Sequence, residues 1–365
     1  MKVAILLTSV RVGGAEMQVY RILSMLNREK IEVIVISMRP FDEVGALIES
    51  LGIQVYYLNM TKGISYFRGT YRLYRILCEF QPDLLSTFLY HANILGRFVG
   101  HMAGVPRIIS SIRNIHFGGK RREWLVKTTD GLVDLSIMNS RISAERMVKD
   151  KLLKPQKAGV IVNGIDPTGF YKRSGESRQV LREKLGLSID NFVWISIGRF
   201  DPQKNFMGLL ENFRLVVENQ PRARLLLAGD GPLRQLCESY VLEHGLSKYV
   251  EFLGIRKDIA DLLSLVDGYV LSSLWEGLPN VLMEAACAEL PVVAMDVGGV
   301  AELIKEEEYG FLVSNSKQLS ASMIRMMAVP LELREEMGRK SRQHVVGNYS
   351  LSAIVNQWES LYLEE

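Results

Sequence analysis

Short β-branched runs alternate with amphipathic helical stretches along the whole chain, and this alternation restricts the fold more than any other sequence feature. In the first half, strands are expected at Val3–Thr8, Glu32–Met38, Gln54–Leu58, Leu84–Phe88, Arg107–Ile112, Leu132–Ile137 and Ala158–Val162. Between them lie helical patterns such as Ala15–Leu26, where Met17, Tyr20, Leu23 and Met25–Leu26 recur at helical spacing. The second half repeats the grammar with strands near Phe192–Ile197, Arg224–Ala228, Val250–Leu253, Gly268–Leu271 and Val292–Met295, and helices near Phe206–Glu218, Pro232–His244 and Pro279–Ala288. Strand, helix, strand, helix implies a parallel sheet with helices on both faces. An N-G turn and a proline in Val162-Asn163-Gly164-Ile165-Asp166-Pro167 mark a seam. The 365 residues, at about 150 per domain, also suggest two domains. The reading is therefore two doubly wound α/β domains, 1–165 and 166–349. The polar, helix-prone stretch Tyr171–Leu187 would enter the second. Three helical segments, near Lys317–Met327, Leu331–Val346 and Ser350–Leu363, follow the last expected strand, and the final one, about 350–365, would return to the first domain.

The same residues exclude several classes of protein. Hydrophobic residues at 48% and charged residues at 23% are close to globular averages, so the chain can bury real cores. A net charge of +3 is too small for a surface that grips nucleic acid throughout. Cys78, Cys237 and Cys287 have no CxxC spacing, which argues for reduced thiols and against a disulfide framework or a thiolate metal site. The start, VAILLTSV, is cut short by Arg11 with no cleavage signal after it, and no apolar run reaches the roughly 18 residues of a membrane span. The expectation is a cytoplasmic protein whose membrane contact, if it has one, is peripheral.

In open parallel sheets, ligands bind at the carboxyl ends of strands, where turns lead into helix N-termini that favour anions. Val12-Gly13-Gly14-Ala15-Glu16 is such a turn, but it lacks the G-x-G-x-x-G spacing of a nicotinamide or flavin site. Gly229-Asp230-Gly231-Pro232 fails the same test at Arg234. Gly198-Arg199-Phe200-Asp201-Pro202-Gln203-Lys204-Asn205 places an arginine and a lysine five residues apart on a glycine-led loop, suited to one phosphate group. It is not a Walker loop. Further on, Trp275-Glu276-Gly277-Leu278-Pro279-Asn280-Val281-Leu282-Met283-Glu284-Ala285 follows a strand, and Pro279 suits the first position of a helix whose leading amides can hold a diphosphate or a sugar. Glu276 and Glu284 flank that helix start, eight residues apart.

Glu276 and Glu284 match the E-x7-E motif of family-4 retaining glycosyltransferases, which use nucleotide sugars and have the GT-B fold of two facing Rossmann-like domains. The resemblance extends along the chain, through Gly13–Gly14, Val162–Asp166, Gly198–Asn205, Gly229–Pro232, Phe252-Leu253-Gly254, the E-G-L-P-N block and Pro291–Ala294 running to Gly298–Gly299. It implies that Arg199 and Lys204 contact the donor diphosphate, that Glu284 binds the ribose, and that Glu276 faces the transferred sugar, holding hydroxyls or supporting charge at the anomeric carbon. It implies donor contacts at Gly14, at Gly254 and Ile255 near the base, and along Gly277, Leu278, Pro279, Asn280 and Val281. Gly13, Tyr90, Arg113 and His116 are expected on the acceptor side. His91 is expected beside the transferred sugar, with His116 competing for that role. No metal and no cofactor are expected, since the chain has no D-x-D and the two cations would neutralise the leaving group. A double displacement needs a carboxylate nucleophile that is not identifiable here. The resemblance therefore implies front-face attack, with the leaving phosphate helping to deprotonate the acceptor.

The modest total charge hides an asymmetry. Residues 1–165 carry 23 Lys and Arg against 13 Asp and Glu, whereas residues 166–365 carry 21 against 28. Basic and aromatic residues interleave from Phe117 to Lys127, as on a peripheral membrane surface. The expected function is retaining transfer of a sugar from a UDP-sugar to a hydroxyl of a glycan or lipid-linked acceptor in polysaccharide synthesis, next to an anionic membrane and without nucleic acid. The alternatives are a nucleotide-sugar epimerase of the same fold and a non-catalytic sugar-nucleotide-binding protein.

Overall fold

The computed structural model describes residues 1–171 and 175–364; Lys172, Arg173 and Ser174 of the expected helix-prone stretch, and Glu365 of the expected tail, lie outside them. The chain divides into unit 1, Met1–Gly164 with Leu351–Glu365, and unit 2, Ile165–Ser350.

Unit 1 runs β1 (Lys2–Leu7), α1 (Gly14–Met25), β2 (Glu32–Ser37), α2 (Glu43–Ser50), β3 (Gln54–Tyr57), α3 (Ile64–Phe80), β4 (Leu84–Phe88), α4 (Tyr90–Met102), β5 (Arg107–Ile112), α5 (Lys120–Thr128), β6 (Leu135–Met138), α6 (Arg141–Lys149) and β7 (Ala158–Val160). Among the described residues these strands form one parallel sheet in the order β3-β2-β1-β4-β5-β6-β7. Side chains alternate across a strand, so β1 feeds two cores. Val3, Ile5 and Leu7 join the core that contains Val19, Ile22 and Leu23 of α1, whereas Ala4 and Leu6 join Leu73 and Leu77 of α3 and Val99 of α4. The strand expected from Leu132 begins at Leu135, because Asp130–Leu132 forms a short 3-10 turn.

Unit 2 runs α7 (Gly175–Lys184), β8 (Phe192–Ile197), α8 (Phe206–Asn219), β9 (Ala223–Ala228), α9 (Arg234–Glu243), β10 (Val250–Gly254), α10 (Ile259–Leu265), β11 (Gly268–Leu271), α11 (Asn280–Cys287), β12 (Val292–Met295), α12 (Val300–Leu303), β13 (Gly310–Val313), α13 (Leu319–Ala328) and α14 (Leu331–Asn348). Its parallel sheet has the order β10-β9-β8-β11-β12-β13. The edge strand β13 corrects the expectation that Val292–Met295 is the last strand. It has only four residues, and it is fixed by pairing with β12 from Val292↔Gly310 to Met295↔Val313.

After α14 the chain enters α15 (Leu351–Leu363), whose Ile354, Val355, Trp358, Leu361 and Tyr362 complete the unit 1 core. Tyr362 donates to Ser86 Oγ at 3.2 Å, and Arg107 donates to the carbonyl of Leu361 at 2.8 Å. A Cβ on Gly164 would lie 2.9 Å from Leu351 Cα, so the seam glycine is needed where α15 begins.

Candidate active site

The order of unit 2's sheet reverses between β8 and β11, which pair through Gly268↔Trp194 and Tyr269↔Ile195. Such a reversal opens a crevice at the strands' carboxyl ends. Two loops leave those ends and are laced together. Ser272 Oγ donates to the carbonyl of Lys204 at 2.8 Å, and the Leu274 amide donates to the carbonyl of Gln203 at 2.8 Å. Gln203 Nε2 donates to the carbonyl of Trp275 at 3.0 Å and to Glu276 Oε2 at 3.2 Å. Lys204 Nζ completes the arrangement with an ion pair to Glu276 Oε1 at 2.6 Å. Glu276 is 6% exposed, so its carboxylate is held by two partners in a largely dry setting.

A third strand end supports this loop. Gly299 donates its amide to the carbonyl of Gly277 at 2.7 Å, and a Cβ on Gly298, at φ +57°, would strike the Glu276 carbonyl. The Gly298–Gly299 pair is therefore a backbone buttress for Glu276.

Glu284 is half-buried on the second turn of α11. The buried Tyr269 hydroxyl has its pKa raised, chiefly by burial and further by the charges of Glu284 and Glu276. Pro279 is not the first helical residue as expected. Its ψ of 116° is extended, so it caps α11 and Asn280 begins the helix. Gly277, Leu278 and Pro279 are buried, whereas Asn280 and Val281 are partly exposed. Arg199 is exposed beside this loop pair, and Ile255 stands 72% exposed just after Gly254 on the β10 end. The Gly254 carbonyl accepts from the Gly229 amide at 2.7 Å, joining that end to the next loop.

Unit 1 has its own reversal, between β1 and β4. Gly13 caps α1, Gly14 is its first residue and is exposed, and His91 occupies the first turn of α4. The Ala92 amide donates to Thr8 Oγ1 at 3.2 Å, which ties these two strand ends together. Leu89, which caps α4, has φ +72°, a strained value for a branched side chain and of a kind found where function over-determines the backbone. His91 packs edge-on to Tyr90 with ring centroids 5.3 Å apart. Desolvation, then Arg122 and Arg39, lower its pKa below the usual 6.5, which keeps the imidazole neutral near pH 7. Tyr90 also lies under the Arg122 guanidinium, 5.2 Å from its ring. His116 is exposed in the turn after β5, where its amide donates to Asn114 Oδ1 at 2.8 Å; it is not on the first turn of α4 with His91.

Arg113 follows β5 directly. It is 8% exposed, its Nη1 donates to Asn163 Oδ1 at 2.8 Å, and its guanidinium lies over Phe88 and Trp358 at 5.1 and 5.6 Å. Burial lowers its pKa to about 10. The residue after β5 thus turns into the core of unit 1, where Arg113 holds the seam asparagine.

Two residues carry more of the site than their sequence positions suggested. Gln203 lies between the two expected cations and anchors Glu276. Replacing it with alanine should lower turnover about tenfold through loss of Glu276 positioning, by comparison with the effect of supporting hydrogen bonds at other sites; steady-state kinetics of Gln203→Ala would check this. Glu16, at the third position of α1, is buried beside Gly13 and accepts from Ser9 Oγ at 2.9 Å, and burial raises its pKa. A Glu three residues after a helix cap was the available signal.

A cation paired to a buried carboxylate at one sheet reversal, beside a helix start carrying a second carboxylate, belongs with a two-domain transferase that handles a diphosphate-activated sugar. The chain belongs to the family-4 glycosyltransferases: the description "Glycosyltransferase Family 4" matches residues 12–168, and "Glycosyl transferases group 1" matches residues 177–344. It is 29% identical over 307 residues to the Escherichia coli UDP-Gal:alpha-D-GlcNAc-diphosphoundecaprenol alpha-1,3-galactosyltransferase, covering 80% of this chain and 78% of that one. It is 26% identical to the putative glycosyltransferase EpsD of Bacillus subtilis, covering 80% and 79%. Among solved structures it resembles Anabaena HepE in complex with UDP and glucose, with a TM-score of 0.87, 22% identity and 100% of both chains covered. That likeness shows the GT-B fold.

Proposed function

We propose that this glycosyltransferase moves a sugar, with retention of configuration and without a metal ion, from a UDP-sugar to a hydroxyl of a lipid-linked glycan acceptor. The observation that carries the reading is the Lys204–Glu276 pair at the β8/β11 reversal, next to the start of α11. Lys204 and the exposed Arg199 would receive the diphosphate, taking the charge that grows on the leaving oxygen. Glu284 would take the ribose hydroxyls, and the surface at Gly254 and Ile255 the uracil. Glu276, turned by Gln203, would face the sugar. As the bond from the anomeric carbon to the diphosphate oxygen breaks, the acceptor oxygen attacks from the same side and its proton passes to the departing phosphate. Neutral His91 would hold a sugar hydroxyl without adding charge.

The E. coli relative's name gives it a UDP-sugar donor and a diphosphoundecaprenol-linked acceptor, which supports both choices. No helix among the described residues is long and apolar enough to cross a membrane, so contact with such an acceptor would be peripheral.

The experiment is a thermal-shift screen of nucleoside diphosphates followed by assays of the stabilising nucleotide's sugars, with and without undecaprenol-linked acceptors, in excess EDTA. The expected result is a stabilisation by UDP and acceptor-dependent release of UDP that survives the chelator, with an α-linked product by NMR. Release of an isomerised nucleotide sugar without acceptor would replace this reading with an epimerase. Glu284→Ala is expected to lower turnover by about two orders of magnitude, roughly 2.7 kcal/mol; unchanged kinetics would remove that residue from the donor site.

A further inference from the structure

A surface helix ordinarily buries one apolar stripe and shows water a polar face. Helix α3 departs from this. Gly69, Leu73, Ile76 and Leu77 face the core, as expected of a crossover helix. Phe67 and Tyr71 are 79% and 64% exposed, Ile64 and Tyr74 are also exposed, and so is Cys78. Residues 67, 71, 74 and 78 are spaced by four, three and four, so they form one continuous stripe on the outward side.

Arginines border that stripe. Arg68, Arg72 and Arg75 are all exposed on α3, with Lys62 just before it. The helix's one acidic residue, Glu79, is paired with Arg75 at 2.5 Å. The neighbouring helices extend the pattern. The β3→β4, β4→β5 and β5→β6 connections all step the same way across the sheet, so right-handed crossovers put α3, α4 and α5 on one face. There α4 shows Phe98 and Met102, one turn apart, and α5 shows Trp124 with Lys120, Arg121 and Lys127. The basic segment expected to reach a membrane is thus only partly available. Phe117 is buried and Arg122 folds back on Tyr90, so α3 offers the larger aromatic surface.

A contiguous exposed aromatic stripe marks an interaction site. The charge around it selects the partner. Aromatics and arginines also occur at protein interfaces, so the choice rests on the surplus of cations: aromatics at headgroup depth bordered by Lys and Arg, on a unit with net positive charge, suit an anionic bilayer. Unit 1 carries 23 Lys and Arg against 16 Asp and Glu. We propose that α3 lies in the plane of an anionic membrane, with Ile64, Phe67, Tyr71 and Tyr74 at the headgroup–acyl boundary and Arg68, Arg72 and Arg75 on lipid phosphates. This rests on, and makes specific, the reading that the acceptor is lipid-linked.

Cys78 ends the stripe and is exposed, while Cys237 and Cys287 are buried, so the native protein can be labelled at one place with an environment-sensitive thiol fluorophore. The full-length protein would be mixed with phosphatidylcholine vesicles, with or without about one-third phosphatidylglycerol. The expected result is a blue-shifted, brighter probe and co-sedimentation with the anionic vesicles only. Phe67→Ser/Tyr71→Ser/Tyr74→Ser should weaken partition about tenfold or more, and Lys62→Glu/Arg68→Glu should abolish the preference for anionic lipid. Both variants should keep the parent's melting temperature and UDP stabilisation.

The proposal is overturned if the wild-type protein ignores anionic vesicles or if the serine variant binds as the parent does. It is also overturned if sedimentation velocity shows a dimer that the serine substitutions split while vesicle binding is unchanged. Transfer to a detergent-solubilised lipid acceptor with no vesicle binding would overturn the docking surface alone. Vesicle binding through α3 without any transfer would support the surface and overturn the functional reading.

Discussion

Lys204→Ala is expected to lower kcat/KM by about three orders of magnitude, roughly 4 kcal/mol, with most of the loss in kcat. The substitution removes two things together. The first is a cation poised for a diphosphate whose negative charge grows as the sugar leaves. The second is the 2.6 Å partner of Glu276, a carboxylate that then stays buried with only Gln203 to hold it. A buried carboxylate stripped of its counter-charge resists ionisation and shifts position. Lys204→Arg keeps the charge but not the point geometry, so it should recover only part of the loss. Single-turnover kinetics with saturating donor would check this, and a Lys204→Ala enzyme within tenfold of the parent would show that the diphosphate is neutralised elsewhere.

Trp358→Ala is expected to destabilise unit 1 by about 3–5 kcal/mol, the range for deleting a large buried aromatic. Trp358 is fully buried, lies 5.7 Å from the Phe88 ring and 5.5 Å from the Tyr362 ring, and carries the Arg113 guanidinium over its face. Its indole nitrogen has no hydrogen-bond partner among the described residues, so Trp358→Phe loses packing but no polar contact and should cost about 1–2 kcal/mol. The alanine variant would also expose the buried Arg113 to a cavity, which removes part of its cation–π support. Guanidinium denaturation followed by circular dichroism would measure both variants. A transition of unit 1 unchanged in Trp358→Ala would mean that α15 adds little to its core.

Strands buried on both faces, such as Val3–Thr8 and Phe192–Ile197, were legible because every position except Ser196 is apolar or β-branched and glycine-containing turns follow them. Strand β13 was not, since Gly310–Val313 is too short to show a period and is held by its neighbour. The unit 2 site was visible as motifs because its loops are local: five residues separate Arg199 from Lys204, and eight separate Glu276 from Glu284. What the spacing could not show was that Lys204 and Glu276, 72 residues apart, form a direct ion pair, with Gln203 on the other carboxylate oxygen. The packing of Arg113 was hidden for the same reason. Its partners Phe88, Asn163 and Trp358 are remote in sequence, and only tertiary packing decides whether an arginine after a strand turns outward or inward. The α3 stripe was present in the sequence, but an apolar residue at helical spacing does not reveal which of two faces it occupies.

The place of α15 in unit 1 also has a consequence for how the protein is made. A ribosome adding roughly 5–20 residues per second releases β1 to β7 well before α15 exists, with all of unit 2 synthesised in between. For that interval, on the order of 10–40 seconds, the face of the first sheet that will receive Trp358 and Tyr362 has only α1 and α2 for cover. Unit 2 can close its core during translation, whereas the N-terminal unit has to wait for a helix encoded far downstream. The nascent chain therefore shows apolar surface longest in its first half, which is fully synthesised but still unfinished.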